Sequence, residues 1–95
     1  MTVEEKIIDL LADGLDSEDA LREALLREGL ETEKLTEILS DLTEQDFAEI
    51  ANLNGKRVAR EGDRILEFTG LKIVLSPAGV KRWMLEDAKR SAEQN

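Results

Sequence analysis

The side chains that most often carry catalysis are sparse in this 95-residue chain, which contains no cysteine, no histidine and no tyrosine. Nucleophilic chemistry would therefore depend on a serine that a lysine or a carboxylate assists. The serines instead stand where they can cap a helix or lie on a helix surface: Ser17, Ser40, Ser76 and Ser91. The sequence therefore predicts a protein that is not an enzyme.

Carboxylates are abundant, and paired carboxylates can perform general acid and base chemistry or bind hard cations. Acid and base roles require an apolar pocket that separates two pKa values, and no such pocket can be recognised in the sequence. The acidic segments 13–19 and 41–46 lack the alternating ligands and the central glycine of a calcium loop. No glycine-rich segment has the spacing of a phosphate-binding loop. We expect neither a metal site nor a cofactor.

Charge is distributed unevenly along the chain. Residues 1–50 contain four Lys/Arg and sixteen Asp/Glu, whereas residues 51–95 contain nine and six, which gives the net charge of −9. Such a field attracts or repels partners over roughly 8–10 Å in physiological salt. The acidic half therefore favours a basic partner, although solvation and solubility alone also account for many of these charges.

Helix signals are regular in the first half of the chain. Thr2 with Glu5 forms a capping box, which predicts a first helix that ends near Asp13. Asp16 or Ser17 is expected to cap a second helix, which runs to Gly29. The spacing predicts a third helix capped by Thr32. Thr43 with Asp46 three residues later is another N-cap signal and predicts a fourth, short helix over 44–53. Four residues are expected to face inward on the third helix: Leu35, Ile38, Leu39 and Leu42.

After residue 55 the apolar spacing changes to that of strands. The turn at Glu61-Gly62-Asp63 predicts a hairpin, with Leu66 and Phe68 on its return strand. Residues 71–75 predict another strand, which either completes a three-stranded meander or stands apart from the hairpin. Ser76 with Pro77 predicts the start of a last helix. Its buried stripe is expected to contain Val80, Trp83, Met84 and Ala88.

Length and composition indicate one domain, 1–95, with a helical part over 1–54 and a hairpin with the C-terminal helix over 55–95. The fold class is therefore predicted to be α+β, with three to four short helices, a two- to three-stranded antiparallel hairpin or meander, and a C-terminal helix. No stretch of about 18 apolar residues is present, and the N-terminus lacks the pattern of a signal peptide. We expect a soluble cytoplasmic protein without membrane association.

This order of elements resembles the winged helix-turn-helix family. Residues 21–42 look like the second and third helices of that family, and Glu61-Gly62-Asp63 looks like its wing. The segment Leu75-Ser76-Pro77-Ala78-Gly79 is similar to the step from strand to helix that often follows a wing. The resemblance implies a winged-helix-like fold and, as its usual activity, binding to DNA.

The third helix, which would read DNA in that family, is acidic. Four carboxylates are placed on it or next to it: Glu33, Glu37, Asp41 and Glu44. A recognition helix approaches a row of phosphates and carries Arg, Lys, Asn or Gln toward the bases, so an acidic helix would be repelled. We therefore expect a small regulatory or adaptor protein that binds a basic protein partner through this acidic face. Mimicry of nucleic-acid charge is one form that such binding takes.

The alternative is a DNA-binding transcriptional regulator that contacts DNA through a basic wing. Its candidate residues are Arg57, Arg60, Arg64 and Lys72. These side chains can equally pair with acids across the hairpin, as strand charges often do. Trp83 is expected in the core by its spacing from Val80. The other interpretation makes it an interface anchor of the C-terminal helix, through which the chain would form a homodimer.

Overall fold

The fold is α+β in a computed structural model that describes residues 1–93, so the last two positions of the predicted domain lie outside the described residues. The described residues form four helices and four short strands. In chain order they are α1 (Val3–Ala12), α2 (Glu18–Arg27), α3 (Leu35–Glu44), β1 (Ala48–Ile50), β2 (Arg60–Glu61), β3 (Arg64–Ile65), β4 (Ile73–Leu75) and α4 (Pro77–Glu93).

Local capping explains where α1 and α2 begin. The Thr2 hydroxyl accepts the Glu5 backbone N–H at 3.1 Å, and the Glu5 carboxylate accepts the Thr2 backbone N–H in return. The predicted capping box is therefore confirmed. Ser17 rather than Asp16 caps α2, because its hydroxyl accepts the Ala20 N–H.

The predicted cap of the third helix is wrong. The residue before α3 is Lys34, which makes no side-chain capping bond. The Thr32 carbonyl accepts the Leu35 N–H at 3.1 Å, so residues 32–34 form a separate turn before the helix begins. The inward face is confirmed for Leu35, Leu39 and Leu42, and Ile38 packs partly buried against the core.

The predicted short helix over 44–53 is also wrong, because α3 ends at Glu44 and the chain then forms strand β1. Asp46 adopts a left-handed conformation with φ +64°, a common way to end a helix. The Phe47 N–H then donates to the Leu42 carbonyl at 2.8 Å. The Thr43/Asp46 spacing that resembles a helix start therefore belongs to the end of α3.

The strands form two separate antiparallel pairs. Strand β1 pairs with β4 in a register that places Ala48 opposite Leu75, and β2 pairs with β3 around a turn at Gly62 and Asp63. The predicted hairpin is therefore confirmed but is shorter than expected. Leu66 and Phe68 lie beyond its return strand, where Phe68 is buried in the core. The strand over 73–75 is separate from the hairpin. Of the two predicted arrangements, the separate strand is therefore confirmed and the three-stranded meander is wrong.

The start of α4 is confirmed, but its predicted buried stripe is wrong. The Ser76 hydroxyl accepts the Gly79 N–H at 3.0 Å, as an N-cap should. Val80 and Met84 are 42% and 58% exposed, and Ala88 is exposed as well. Gly79 is the buried residue of the helix, since its backbone lies against the carbonyl of Phe47. The face of α4 toward α1 is mostly charged instead.

Ion pairs replace apolar contacts between α1 and α4. Arg82 pairs with Glu4 at 2.9 Å and with Glu86 at 3.2 Å, while Arg90 lies within 4.0 Å of Glu5. Burial lowers the pKa of Arg82, but its hydrogen bonds to these two glutamates more than offset this effect, so the pKa is raised.

One cluster of buried apolar side chains joins the helices to the strands. It contains Ile7, Ile8, Leu10, Leu11, Leu21, Leu25, Leu35, Leu39, Leu42, Ala48, Ile65, Phe68, Leu71 and Ile73. Aliphatic side chains dominate it, and Phe68 is its one ring. This core fixes α3 against β1 and the hairpin, where the acidic and basic candidate residues meet.

Candidate functional site

The four predicted acidic residues lie on one side of α3 and the turn before it. The spacing of four and three residues places Glu37, Asp41 and Glu44 on a common face of α3, and Glu33 lies in the turn before it. Glu33, Glu37 and Glu44 are exposed, and Asp41 is partly buried. We call this set the acidic stripe.

Arg64 occupies the second half of the acidic stripe. Its Nη1 atom lies 2.6 Å from Asp41 Oδ1 and 2.9 Å from Glu44 Oε2, and its Nη2 atom lies 3.5 Å from the Glu37 carbonyl oxygen. Hydrogen bonds to Asp41 and then to Glu44 raise the pKa of Arg64. The structure therefore brings together residues from both predicted sites, and each reduces the charge that the other offers to a partner.

The first half of the acidic stripe carries no such neutralisation. Glu33 and Glu37 form no ion pair with any side chain within residues 1–93. Both are exposed, Glu33 in the turn before α3 and Glu37 in its first turn. Within the acidic stripe, the negative charge without an ion pair therefore lies at the N-terminal end of α3.

The predicted basic residues are not gathered into one surface. Lys72 Nζ lies 3.7 Å from Asp16 Oδ2, on the far side of β4 from the hairpin. Arg57 and Arg60 are exposed, and neither forms an ion pair within the described part of the chain. With Arg64 held on α3, only two of the four predicted cations remain free to approach a polyanion together.

Trp83 lies on the inward face of α4 and packs partly buried against the core. Its indole Nε1 donates to Asp9 Oδ1 at 3.0 Å, which ties α4 to α1. Trp83 therefore lies at the edge of the core and is not one of its fully buried side chains. The large apolar side chains that α4 exposes are Val80, Met84 and Leu85.

A cleft between β1 and the β2–β3 hairpin was missed by the sequence interpretation. It encloses about 260 Å³, and three carboxylates line it: Asp46, Glu49 and Asp63. Arg60 lines it as well, and apolar atoms come from Ile50, Leu53 and Ile65. The alternation of Ala48, Glu49 and Ile50 could have indicated the strand, but the apparent helix start at Thr43 obscured it.

No group of three or more Asp, Glu, His or Cys side chains within residues 1–93 has an arrangement that could hold a metal ion. None of the helices in the same range is long and apolar enough to cross a membrane.

Comparison of the chain with protein-family models, curated proteins and solved structures finds no match.

Proposed function

We propose that this chain is a winged-helix-like binding module that regulates or adapts a basic protein partner through the N-terminal half of the acidic stripe. The observation that carries the proposal is the position of Arg64. The wing arginine that would have faced a polyanion is bound by Asp41 and Glu44, while Glu33 and Glu37 remain exposed.

Charge favours a protein partner over DNA. Two free arginines, Arg57 and Arg60, would give a salt slope of only about −2 on a logarithmic plot if both contacted phosphates, which corresponds to weak binding. A helix with exposed carboxylates adds repulsion along the same approach. A basic protein surface, by contrast, is attracted by the acidic half. This attraction raises the rate of association and orients the partner as it approaches.

A charge-reversal experiment tests the proposal. The Glu33→Lys/Glu37→Lys double variant should lose retention of a lysine-rich protein probe at low salt, because it reverses the free part of the acidic stripe. The Glu61→Lys/Glu67→Lys double variant changes the net charge equally, at exposed positions around the hairpin, and is the matched control. Equal loss in both variants would mean that only net charge matters, and the proposal would fail.

A gel-shift assay with a DNA duplex tests the alternative function, which is DNA binding. Binding near physiological salt that weakens with Arg57→Ala and Arg60→Ala would replace the protein-binding proposal with a DNA-binding regulator. We expect no shift at that salt concentration, because two phosphate contacts supply too little counterion release.

Self-association through α4 is a second interaction that the surface favours. Val80, Met84 and Leu85 are 42%, 58% and 68% exposed. Leu85 also lines a depression of about 420 Å³ together with Phe47. Covering these side chains would remove apolar surface from water. Sedimentation should therefore show a dimer at high concentration that Leu85→Glu converts to a monomer, and a wild-type chain that stays monomeric would contradict it.

A further inference from the structure

We propose that Asn54 is a site of spontaneous chemical modification, where the chain converts this asparagine into a mixture of aspartate and isoaspartate with water as the co-reactant. The site lies in the loop between β1 and β2, where Gly55 follows Asn54 directly. This inference is independent of the proposed function, because it concerns a reaction between two neighbouring residues of the chain and not a contact with a partner.

The reaction begins when the backbone nitrogen of Gly55 attacks Cγ, the side-chain carbonyl carbon of Asn54. A bond forms between these two atoms, the bond from Cγ to Nδ2 breaks, and ammonia leaves with the proton that the Gly55 nitrogen loses. The product is a succinimide ring, which water opens by adding a hydroxyl to one carbonyl carbon and a proton to the ring nitrogen. Addition at Cγ gives aspartate, and addition at the backbone carbonyl carbon gives isoaspartate. No atom is oxidised or reduced.

The Gly55 nitrogen is available as the nucleophile. Backbone N–H groups inside a fold are normally engaged in hydrogen bonds, yet the Gly55 N–H donates to no atom of residues 1–93. Gly55 is exposed, and apart from its chain neighbours no heavy atom of the described chain lies within 4 Å of the position that a Cβ would occupy. Glycine also has no side chain that would crowd the closing ring. Solvent can therefore remove the proton as the ring forms.

The Asn54 amide is equally unrestrained, in contrast to that of Asn52. Asn54 is exposed, and its side chain forms no hydrogen bond within the described residues. Asn52 Oδ1 accepts the Lys72 N–H at 2.7 Å, and Asn52 Nδ2 donates to the Gly70 carbonyl at 3.2 Å. Leu53 follows Asn52, so a branched side chain crowds that backbone nitrogen. The structure therefore favours reaction at Asn54 over reaction at Asn52.

One hydrogen bond closes the turn that contains the site. The Lys56 N–H donates to the Leu53 carbonyl at 2.6 Å, and Gly55 has a φ of +76°. A single bond in an exposed loop opens at little cost in free energy. The turn therefore does not keep the Asn54 side chain from reaching the Gly55 nitrogen.

The modification changes both the charge and the backbone of this loop. Residues 51–59 contain two cations, Lys56 and Arg57, and no acidic residue, so one new carboxylate lowers their net charge from +2 to +1. Isoaspartate also inserts a methylene group into the main chain between residues 54 and 55. We expect this insertion to break the turn hydrogen bond between Lys56 and Leu53.

Incubation of the full chain in heavy-oxygen water, followed by digestion in ordinary water and mass spectrometry, tests the proposal. The heavy oxygen marks only carboxylates that form before digestion. We expect the label at residue 54 and not at Asn52, with a rate in the folded chain within about tenfold of that in the urea-unfolded chain. The proposal is overturned if residue 54 stays unlabelled, if Asn52 is labelled first, or if the folded chain reacts more slowly than this limit.

Asn54→Gln is the matched control, because it keeps an amide but would have to close a larger ring. It should lose the label at position 54 without a change in the urea midpoint, since the position is exposed. Labelling of this variant at the wild-type rate would contradict attack by the Gly55 nitrogen.

Amide hydrogen exchange of the aged chain tests the effect on the loop. The Lys56 N–H should exchange faster in the isoaspartate form, whereas the Lys72 N–H, which Asn52 holds, should keep its rate. A Lys56 N–H that exchanges as slowly as before would overturn the predicted change in the turn.

Discussion

At the scale of single residues, Gly79 decides how closely α4 approaches the chain that leaves α3. A Cβ atom built on Gly79 would lie 1.9 Å from the Phe47 carbonyl oxygen and 2.9 Å from its carbon. Both atoms belong to the backbone, which cannot rotate away as the end of a side chain can. Glycine is therefore required here for space and not for its backbone angles.

Gly79→Ala should destabilise the protein, although the same change inside an exposed helix usually stabilises it by about 0.5–1 kcal/mol. We expect a loss of about 1–3 kcal/mol, because α4 must move away from Phe47. Urea denaturation measures the difference. A variant as stable as the wild type would show that α4 does not pack on this carbonyl.

Glu5 links the stability of α1 to pH. Hydrogen bonds from the Thr2 backbone N–H and then from the Thr2 hydroxyl lower the pKa of Glu5 from its ordinary value of 4.5. Because the folded state has the lower pKa, the stabilisation is complete above about pH 4.5 and is lost as pH falls through the folded pKa.

Glu5→Gln should therefore flatten the decline in stability between about pH 6 and about pH 3, since the amide keeps an acceptor but does not titrate. Urea midpoints measured across this range for the wild type and the variant check it. Thr2→Val should act in the same direction, because it removes the hydroxyl donor. Parallel pH profiles for all three proteins would contradict the prediction.

At the scale of elements, the hairpin is attached to α3 by a buried serine as well as by Arg64. The Ser40 hydroxyl is directed at the Thr36 carbonyl of its own helix and at the Ile65 carbonyl of β3, and Ser40 is 2% exposed. A buried carbonyl that loses its donor is costly, so this contact fixes the position of the hairpin.

Ser40→Ala should reduce stability by about 1–2 kcal/mol and increase hydrogen exchange in the hairpin. Thr43→Val is the matched control, because the Thr43 hydroxyl bonds only to carbonyls of α3 itself within the described chain. It should leave exchange in the hairpin nearly unchanged. Similar exchange in both variants would show that Arg64 and apolar packing hold the hairpin without Ser40.

At the scale of the whole molecule, the net charge of −9 opposes compaction. Part of this repulsion is concentrated at the end of α1, where the last turn has no basic residue and Asp13 occupies the C-cap. A negative charge there is also unfavourable to the dipole of the helix.

Stability should rise as salt increases from very low concentration to about 0.15 M, because screening weakens the repulsion among the acids. Asp13→Lys should stabilise the protein by about 0.3–1 kcal/mol at low salt and reduce the effect of salt. Thermal melting at the two salt concentrations measures both effects. A wild-type chain that loses stability with added salt would show that its ion pairs outweigh the repulsion.

The start of each capped helix could be predicted from the sequence because a cap acts over three or four residues. Thr2, Ser17 and Ser76 each bond to a backbone N–H three positions later, so the signal and its effect lie together in the chain. The hairpin turn at Gly62 could be predicted for the same reason, because the turn residues and the two strands that they connect are adjacent in the chain. Most of the acidic stripe could also be predicted, since helical spacing alone places Glu37, Asp41 and Glu44 on one face of α3.

Only the tertiary structure determined the conformation and contacts of segments whose partners lie far along the chain. Residues 48–50 carry a local helix signal, yet they form a strand because residues 73–75 pair with them. Arg64 lies against α3 because α3 presents two carboxylates to it, and α4 turns its charged face inward because α1 offers Glu4, Glu5 and Asp9. Sequence patterns report neighbours three or four positions away, whereas these contacts join residues at least twenty positions apart.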